Sequence, residues 1–575
     1  DGTNDYSVSG LAATDVVPDS PTNNFSTFNN LHVDTDDKPT YSEGNMRMDA
    51  TSASWHNAAS TFWMSSGKWY SEFRLSNIGD GCLIGIGKAP STNTYVGTDA
   101  NGYGYLAANG YVYHSNSQTQ YGSSFTSGDI IGVALDMDNG NLYFYKNGTI
   151  QNSGTAVNSS SLVGEHWFVG CSSAGTAGEV RVNFGQDGTF NGSITAGNNA
   201  DENGHGNFKY SVPSGYLAMC SANLPDTTFA ANQDEQGDDH HNAVLYTGTQ
   251  QALSVTGVGF RPDWIWFKAR NATWANAFFD STRGNTKQLK VESGTENTIS
   301  DGVTSFDADG FSLAATTSLE GRNQNNSGST YIAWCWKLNG GTTSSNTDGN
   351  VTSTVQVNSD AGVSIVTFPA NSTNGTTIGH GLGVAPKMVI IKGRESVSAW
   401  LTYHHELGAD KYVSLSSFAA SASNADVWGN TAPTSTVFTA GLSAAGLSSG
   451  GANDGVAYCF AEKEGFSKFG QYRGKGNTDG QFIFTGFKPA FVLVKSYDNN
   501  LAWFIMDNRR LAYNGARYRL IASQNNTEHS DDYIDLLSNG FKFRSTSGNV
   551  NGYPGYNYIY MAFASSQTFK FSNAE

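Results

Sequence analysis

Charged residues, and basic residues above all, are scarce in this sequence. Only 14% of its 575 residues are charged, against about 25% in ordinary soluble proteins. Lys and Arg number 33 against 50 Asp and Glu, which gives a formal net charge of −17. Sequence-independent binding to nucleic acid depends on clustered Lys and Arg. The charge balance therefore argues against nucleic acid as a partner.

Long apolar runs are missing as well. No run of about 18 apolar residues is present, so we expect no transmembrane helix and no insertion into a membrane. Residues 1–6 lack the basic and apolar regions of a signal peptide. The chain has no initiator Met, so we expect it to begin partway into a longer protein or after processing.

Cysteine is rare and unpatterned. The five cysteines show no Cys-x-x-Cys spacing and no neighbouring histidine cluster, so neither zinc nor a disulfide framework is indicated. We expect all five to be small buried side chains, in a protein assembled in a reducing cytoplasm. They are Cys82, Cys171, Cys220, Cys335 and Cys459.

Glycine and aromatic residues are abundant. Gly accounts for 66 residues and Phe, Trp and Tyr for 13% of the chain. Short apolar runs alternate with segments rich in Gly, Ser, Thr and Asn, which is typical of antiparallel β-structure. The length allows several domains of about 100–200 residues. The sequence therefore predicts an all-β, multidomain string of antiparallel β-sandwiches.

The C-terminal half contains one short sequence motif three times, and we call this motif the phrase. Each copy is a Gly-x-x-Pro turn followed by a strand that ends in Lys, at residues 259–268, 383–392 and 486–495. The copies are about one small domain apart, well beyond the roughly 20–50 residues of a solenoid repeat. We therefore predict three related β-repeats. A Trp follows each phrase and an apolar strand closes each copy, at Trp274 and 332–336, Trp400 and 456–460, and Trp503 and 559–563.

The N-terminal part carries a different pattern, in which short strands are separated by Gly and Asn turns. Asn139-Gly140 predicts a two-residue hairpin, and Asn147-Gly148 predicts the next turn. Together with residues 67–73, 84–87 and 167–185, these motifs resemble the SPRY family in content and order. The resemblance covers about 120 residues. It implies a concanavalin-like β-sandwich that binds ligands through loops at one edge and does not catalyse a reaction.

Two aromatic segments are candidates for ligand contact. Period-two alternation places Tyr111 and Tyr113 on one sheet face, where they are either packed rings or part of a Tyr, Asn and Ser binding surface. Planar rings in the Gly-rich segment 551–558 are suited to stacking on sugars, unless that loop packs on itself or on another subunit. The predicted ligand-binding residues are Tyr111, Tyr113, His114, Tyr121, Tyr553, Tyr556 and Tyr558.

The sequence gives weaker evidence for metal-binding and catalytic residues than for aromatic contact residues. Asp136, Asp138 and Asn139 lack the following bidentate Glu of a calcium loop. The Asp-rich run 234–241 with its two histidines is more typical of a solvated linker, and His404-His405-Glu406 has no identifiable partner. We therefore predict no metal, no cofactor and no catalytic residue.

Composition shifts suggest where the domains begin and end. Two segments rich in Gly, Asn, Ser and Thr are interpreted as linkers. The predicted division is 1–25 as a lead-in, 26–190 as the SPRY-like sandwich, 191–242 as a linker, 243–339 as repeat 1, 340–358 as a linker, 359–468 as repeat 2 and 469–575 as repeat 3.

The SPRY-like sandwich, the lead-in 19–25 and the strand 331–337 together resemble tail-fibre and related virion proteins of marine bacteriophages. The resemblance implies a virion surface protein, commonly a homotrimer, that contacts other virion proteins and a bacterial surface glycan or protein. The alternatives are a purely structural virion component and a glycan-degrading tailspike. The last would need two carboxylates about 5–10 Å apart, and no short paired motif supplies them.

Overall fold

A computed structural model divides the chain into two compact units, Asp1–Pro225 with Lys570–Glu575, and Asp226–Phe569. It describes residues 18–564 apart from 21–22, 33–37, 91–94, 226–235, 293, 370–374, 442–453, 511–515 and 553–554. The described residues form many strands and only two α-helices, each of four residues, so the all-β prediction is confirmed. No described helix is long and apolar enough to cross a membrane.

The first unit is a sandwich of two sheets that are antiparallel except for β15, which pairs with β4 in parallel. One sheet has the order β1-β2-β14-β4-β9-β10-β11, with β12 beside β10 and β15 beside β4, and the other has the order β3-β13-β5-β6-β7-β8. The strands are Thr40–Ser42 (β1), Arg47–Asp49 (β2), Trp55–Met64 (β3), Lys68–Asn77 (β4), Gly81–Gly87 (β5), Gly102–Leu106 (β6), Tyr111–His114 (β7), Ser117–Gln120 (β8), Ile130–Asp136 (β9), Asn141–Lys146 (β10), Thr149–Ile150 (β11), Val157–Asn158 (β12), Trp167–Ala174 (β13), Glu179–Asn183 (β14) and Leu217–Ala218 (β15).

Alternating apolar side chains of the two sheets face each other and form the core of this unit. The inner row of β4 supplies Trp69, Phe73 and Leu75 from one sheet, and β5 supplies Ile84 and Ile86 from the other. Period-two alternation in the sequence predicts this arrangement, because successive side chains of a strand point to opposite faces.

The predicted linker 191–242 needs correction at its first part, because residues 199–224 pack on the outer face of the nine-stranded sheet. Phe208 and Tyr216 cover Tyr70 there. The buried Glu72 carboxylate accepts the backbone N–H groups of Lys209 and Tyr210, each at 2.8 Å. Burial raises the pKa of Glu72 to about 7. Residues 199–224 thus supply hydrogen bonds to the Glu72 carboxylate, which would otherwise lie on the exposed face of β4.

The loop of the hairpin at Asn139-Gly140 is longer than the two residues that were predicted. β9 pairs with β10 from Asp136 to Asn141, which leaves a four-residue loop. Asp136 Oδ1 accepts the N–H groups of Asp138 and Asn139 at 3.1 Å, and the side-chain cap stabilises the longer turn. Asn147 and Gly148 both have positive φ and form the predicted two-residue turn.

The second unit contains three groups of strands that correspond to the three sequence repeats. The first group, which we call repeat 1, comprises β16–β24 and α1. Its elements are His241–Thr247 (β16), Leu253–Thr256 (β17), Trp264–Ala269 (β18), Ala277–Asp280 (β19), Lys287–Lys290 (β20), Asn297–Thr298 (β21), Val303–Asp307 (β22), Gly310–Leu313 (β23), Arg322–Asn325 (α1) and Thr330–Trp336 (β24).

Repeat 2 comprises β25–β34 and α2, and repeat 3 comprises β35–β42. The elements of repeat 2 are Ser344–Asn346 (β25), Ser353–Asn358 (β26), Val363–Phe368 (β27), Thr376–Gly379 (β28), Met388–Gly393 (β29), Leu401–His404 (β30), Lys411–Ser414 (β31), Ala422–Ser423 (β32), Ala425–Trp428 (α2), Val437–Ala440 (β33) and Gly455–Phe460 (β34). Those of repeat 3 are Ser467–Arg473 (β35), Phe482–Phe484 (β36), Pro489–Ser496 (β37), Phe504–Asp507 (β38), Ala516–Ile521 (β39), His529–Leu537 (β40), Gly540–Phe543 (β41) and Asn557–Ala564 (β42).

All three repeats share one topology. The strand after each Gly-x-x-Pro turn lies between the closing strand and the next hairpin strand, as in the orders β16-β24-β18-β19-β20, β27-β34-β29-β30-β31 and β35-β42-β37-β38-β39. The segment 340–358, which was predicted as a linker, contains β25 and β26, and these two strands extend the large sheet of repeat 2. Its Ser and Thr residues are compatible with an outer strand as well as with a linker.

The three large sheets share a central core. One face of each sheet points into it, with Trp264 and Trp336 from repeat 1, Tyr458 and Phe460 from repeat 2, and Phe563 from repeat 3. The opposite faces of repeats 1 and 2 pack on smaller cores of their own. The three large sheets therefore meet in one central core, and those of repeats 1 and 2 each cover a second core on the opposite face.

A hydrogen bond recurs between the repeats and closes them into a ring. Trp400 Nε1 donates to Lys290 O at 2.9 Å, and Trp503 Nε1 donates to Ser414 O at 2.8 Å. The matching group of repeat 1 is Asn276, whose Nδ2 donates to Ile521 O at 3.3 Å. The three donor residues directly precede β19, β30 and β38. The three acceptor residues lie on β20, β31 and β39, and each pairs with the first residue of β19, β30 or β38 in its own repeat.

The prediction for the cysteines is confirmed, since all five are free and buried. Burial raises the pKa of the Cys82 thiol to about 12. Within the described ranges, no group of three or more His, Cys, Asp or Glu side chains is placed to hold a metal ion.

Candidate binding surface

The β7–β8 hairpin lies at one edge of the six-stranded sheet of the first unit. Only Val112 of β7 points into the core, whereas Tyr111 and Tyr113 are half-buried on the opposite side. The predicted common face of the two tyrosines is thus confirmed. β8 is exposed at all four positions and carries only Ser, Gln and Thr. The hairpin presents rings and polar side chains together.

The tip of this hairpin is held in one conformation. Ser115 and Asn116 both have positive φ, which non-glycine residues seldom adopt. Their N–H groups donate to Asp99 O at 3.1 Å and to Gly97 O at 3.4 Å. The strained turn therefore persists because the neighbouring loop fixes it, and a preformed surface loses less entropy on binding.

Three half-buried rings from distant parts of the chain form a continuous row, which we call the aromatic row. Tyr95 lies between the other two, with its ring centroid 5.0 Å from that of Trp55 and 6.0 Å from that of Tyr113. The hydroxyl of Tyr113 donates to Gln118 Oε1 at 3.0 Å. Such a row offers flat apolar faces with an amide beside them.

His114 ends β7 and directly precedes the turn at the tip of the hairpin. Its ring stacks on Tyr103 with a centroid distance of 4.0 Å and an interplanar angle of 2°. Its Nδ1 is 2.9 Å from Gly102 O, so the nitrogen carries a hydrogen and donates to that carbonyl. The ring is therefore fixed while one edge stays partly exposed.

The other predicted residues do not share this surface. Tyr121 is only 7% exposed and packs on Tyr105 and Phe144, so it is removed from the candidate set. Tyr558 is removed too, because it is fully buried and its ring stacks on Tyr472 at 4.9 Å. Gly and Pro predicted a loop at this position, but β42 begins at Asn557.

The remaining two residues belong to the second unit. Tyr556 is half-buried and packs against the central core. Tyr553 lies outside the described residues. The binding roles of Tyr111, Tyr113, His114 and Tyr556 stay predictions.

Sequence reasoning missed Trp55 and Tyr95. Trp55 begins β3, and Tyr95 follows the cis peptide bond Ala89-Pro90 in the loop after β5. Neither belongs to a Tyr-rich segment, so no local pattern links them to Tyr113. Only the order β3-β13-β5-β6-β7 and the path of one loop bring them together.

Three of the four histidine candidates, His240, His241 and His404, are buried in the second unit, and His405 is partly exposed. His241 is 1% exposed and packs among Trp336, Phe491 and Phe563. His404 is fully buried, and its Nε2 is 3.2 Å from Tyr560 O. Both side chains serve packing between repeats.

Two family models match this chain. One is described as a domain of unknown function, DUF7483, and it matches residues 236–567. The other is the SPRY domain, and it matches residues 68–187. The SPRY prediction is therefore confirmed for the first unit.

Curated relatives are similar to this chain over short stretches. The ATP-dependent RNA helicase DDX1 of Xenopus laevis is 28% identical over 181 residues, which are 31% of this chain and 21% of that protein. The dual specificity protein kinase splA of Dictyostelium discoideum is 34% identical over 137 residues, which are 23% of this chain and 6% of that protein. Ran-binding protein 9 of Danio rerio is 33% identical over 86 residues, which are 14% of each chain. The chain thus spans about a fifth or less of these relatives.

Solved structures of SPRY domains are similar as well. The SPRY domain of human HERC1 is 21% identical, with a TM-score of 0.23, and the match covers 25% of this chain and 91% of that one. A human SPRY domain is 18% identical, with a TM-score of 0.21, and that match covers 25% and 93%.

Proposed function

Because the chain belongs to the DUF7483 family through its second unit and carries a SPRY domain in its first, we propose that it is a non-catalytic binding protein whose SPRY unit engages a partner. The observation that carries this proposal is the half-buried aromatic row that Tyr113 of the β7–β8 hairpin forms with Tyr95 and Trp55. Aromatic rings supply contact area at a low entropic cost, and neighbouring Asn, Ser and Gln supply hydrogen bonds.

The three repeats are proposed to act as the scaffold. The parts that the copies have in common are buried: the Gly-x-x-Pro strand, the closing strand and the terminal lysine all lie in the interior. Duplicated and buried features maintain packing, so recognition is assigned to the first unit.

We further propose that the protein is a tail fibre or related appendage on a bacteriophage virion and that its partner is a glycan or protein of the bacterial surface. The support is the sequence resemblance of the SPRY motifs, the lead-in 19–25 and the strand 331–337 to virion proteins of marine phages. Assembly in the host cytoplasm agrees with five free, buried cysteines.

Binding of the purified full chain to candidate host cells tests this proposal. We expect saturable binding that the double substitution Tyr111→Ala and Tyr113→Ala weakens at least tenfold, because truncated aromatic anchors commonly cost more than about 1.4 kcal/mol. Tyr143→Ala is the matched control, since Tyr143 is half-buried on the other sheet of the same unit. Equal weakening by both variants, or no binding at all, would contradict the proposal.

Pretreatment of the cells distinguishes a glycan ligand from a protein ligand. Periodate cleaves sugar diols, whereas a protease removes surface protein. Loss of binding after periodate alone identifies a glycan, and loss after protease alone identifies a protein. Binding that survives both treatments would contradict a surface receptor of either class.

A further inference from the structure

Two of the three contacts between repeats are closed by the same charged network. At the contact of repeats 1 and 2, Arg394 binds Glu296 through two hydrogen bonds of 2.8 and 2.9 Å. At the contact of repeats 3 and 1, Arg270 binds Glu528 through two hydrogen bonds of 2.8 and 3.1 Å. A second, buried arginine binds each glutamate as well, and these arginines are Arg283 and Arg510. Charged side chains therefore fill both contacts.

The contact of repeats 2 and 3 has a tyrosine where the other two contacts have the bidentate arginine. This position lies two residues after the buried lysine of each repeat, and it holds Arg270, Arg394 and Tyr497 in turn. The backbone supports the correspondence, because the carbonyl oxygen of each of these residues accepts an N–H from the neighbouring repeat at 2.6–2.8 Å. A tyrosine has one hydroxyl and cannot supply the several donors of a guanidinium.

The residues that face this position differ in the same way. Glu528 and Glu296 supply the N–H groups at the first two contacts, whereas Ser421 supplies the N–H at the third. The place of the second arginine, which is the third residue after the end of β19, β30 or β38, is taken in repeat 2 by the buried Leu407. The residues described at the third contact therefore do not form the charged network of the other two.

The Tyr497 hydroxyl begins a chain of hydrogen bonds that crosses the third contact. It donates to Gln471 Oε1 at 3.0 Å, and Gln471 Nε2 donates to Glu406 Oε2 of repeat 2 at 2.8 Å. All three side chains are half-buried. A carboxylate has roughly four acceptor sites, so Glu406 can bind Gln471 and a ligand hydroxyl together. An amide and a carboxylate are thus held in one orientation beside a flat ring.

Partly exposed aromatic surface of the central core is concentrated at this contact. In the part of the chain that the structure describes, the half-buried hydrophobic side chains packed on the central core are Phe418, Tyr497 and Tyr556, all from repeats 2 and 3. Phe418 O accepts Nζ of Lys495 at 3.2 Å, and Tyr556 directly precedes Asn557, whose carbonyl oxygen accepts the N–H of Tyr497 at 3.2 Å. The contact without the charged network is therefore the aromatic one.

The charges that act on the Tyr497 hydroxyl are negative. Burial, and then Asp498 and Glu406, raise the pKa of Tyr497 to about 12. Arg473 follows Gln471 on β35, so a cation borders this area on its outer side. The chain as a whole has a formal net charge of −17. An anionic ligand would be repelled at the ring, whereas a neutral or cationic one would not.

We propose that the contact of repeats 2 and 3 is a sugar-binding site, in which the Tyr497 ring supports the C–H face of a neutral or amino-bearing sugar while Gln471 and Glu406 bind its hydroxyls. A sugar ring presents such a face together with adjacent hydroxyls, and a ring with a few fixed polar groups matches both. The site is not one of the duplicated, buried features of the scaffold. It adds to the SPRY surface and does not depend on it.

Saturation-transfer NMR with the full chain tests the site. The probes are the methyl glycosides of glucose, galactose, mannose and glucosamine, together with the uronic acids of the three neutral hexoses. We expect saturable binding of at least one neutral or amino sugar, and roughly fivefold weaker binding of the uronic acids because their carboxylate meets Asp498 and Glu406. The absence of binding by all of these sugars would overturn the inference, and so would tighter binding of the uronic acids.

The other two contacts suggest a variant that removes the site without weakening the fold. Tyr497→Arg with Ser421→Glu rebuilds the bidentate ion pair at the same backbone positions. We expect this double variant to unfold at the wild-type temperature or above, since such a pair is a strong interaction, and to bind the sugar at least about tenfold more weakly. A folded double variant with unchanged sugar affinity would overturn the inference.

Gln471→Leu gives a second test that does not depend on the double variant. Gln471 and Leu245 lie in the same register row as the buried lysine of their own repeats, and Leu245 is 41% exposed. A leucine is therefore tolerated at this position of the fold. We expect the loss of the amide to weaken sugar binding about tenfold. Unchanged affinity would contradict the role of the polar chain.

Two controls locate the binding. Tyr412→Ala removes a half-buried tyrosine of β31 that packs on the separate core of repeat 2, so sugar affinity should stay at the wild-type value. The double substitution Tyr111→Ala and Tyr113→Ala should leave sugar binding intact as well, because those residues belong to the first unit. Loss of sugar binding in that SPRY variant but not in Tyr497→Ala would overturn the inference.

Discussion

The most regular residues of the second unit are the three lysines that end the Gly-x-x-Pro strands. Each is fully buried and donates from Nζ to backbone carbonyls. Lys268 reaches Gln524 O at 3.1 Å, and Lys495 reaches Phe418 O at 3.2 Å, so both bridge neighbouring repeats. Lys392 donates within its own repeat, to Ser398 O at 2.8 Å. Burial lowers the pKa of Lys495 to about 7.

A lowered lysine pKa makes stability depend on pH in a defined direction. Between pH 7 and about 10.4 the unfolded chain holds a proton on this side chain that the folded protein has released, so stability rises with pH. We expect the free energy of unfolding of the wild type, relative to Lys495→Met, to increase by about 2 kcal/mol from pH 6 to 9. Urea unfolding at several pH values measures this difference.

Using the difference between two proteins cancels the opposing effect of the buried cysteines, whose raised pKa lowers stability at alkaline pH. Lys287→Met is the control, because Lys287 bonds the exposed Thr298 hydroxyl. Its difference from the wild type should stay flat. A flat difference for Lys495→Met as well would disprove the argument.

At the scale of elements, the three contacts between repeats use the same backbone positions with different side chains. Glu296 and Glu528 donate their N–H groups to Arg394 O and Arg270 O at 2.6 Å, and Ser421 donates to Tyr497 O at 2.8 Å. The two glutamates pair with arginines across the contact. The third contact has no such ion pair among its described residues.

The end of the hairpin strand shows why the third contact differs. Asp280 accepts the hydroxyl of Tyr458 at 2.7 Å, and Asp507 accepts Trp334 Nε1 at 3.2 Å. The corresponding place in repeat 2 is His404, and the residue of repeat 3 that corresponds to Tyr458 and Trp334 is Met561. Methionine offers no donor for a carboxylate, and a buried carboxylate without a donor is costly.

The ion pair of Glu296 can be tested by substitution. Glu296→Gln removes the charge that two arginines share, and Arg283 is fully buried. Arg283 keeps its pair with Asp280, but it loses one of its two carboxylates and Arg394 loses its bidentate partner, so we expect a loss of about 2 kcal/mol in the free energy of unfolding. Chemical denaturation of the second unit measures this loss.

Ser421→Ala supplies the comparison at the equivalent position. Its backbone N–H keeps the bond to Tyr497 O, so we expect a change below about 0.5 kcal/mol. Similar losses for both variants would show that the position matters and the charge does not.

At the scale of the whole molecule, the three repeats form one cooperative structure. Each large sheet has one face in the shared core, where Trp264, Tyr458 and Phe563 meet. A repeat on its own would expose that face to water. Burial of a large aromatic side chain stabilises by roughly 1.5–3 kcal/mol, so the loss of one repeat removes many such contributions.

We therefore expect calorimetry of the full chain to show two transitions, one for the SPRY unit and one for the three repeats together. Deletion of residues 467–564 should abolish the second transition and leave the first in place. Retention of a cooperative transition by the remaining two repeats would contradict a single shared core. Residues 18–225 expressed alone should unfold at the temperature of the first transition.

Local patterns in the sequence were enough for the elements of this protein. Alternation and turn residues predicted an antiparallel sandwich, the common face of Tyr111 and Tyr113, and the repeated strands with their terminal lysines, while the order of the motifs carried the resemblance to SPRY domains. In repeats 2 and 3 the tryptophan follows the proline of the turn by 14 residues. The same spacing in repeat 1 leads to Asn276, whereas the recurrence of tryptophan points to the nearby Trp274. These features depend on residues that are close together in the sequence, so the sequence alone is enough to predict them.

The sequence by itself thus determined the β-class, the repeated strands and the burial of their apolar and thiol side chains. Tertiary structure alone decided which faces meet: the row of Trp55, Tyr95 and Tyr113, the shared core, and the convergence of His241 and His404 on repeat 3. The physical reason is that local periodicity fixes which side of a strand is apolar. The partner of that side is chosen by sheet order and loop path, through contacts between residues far apart in the chain.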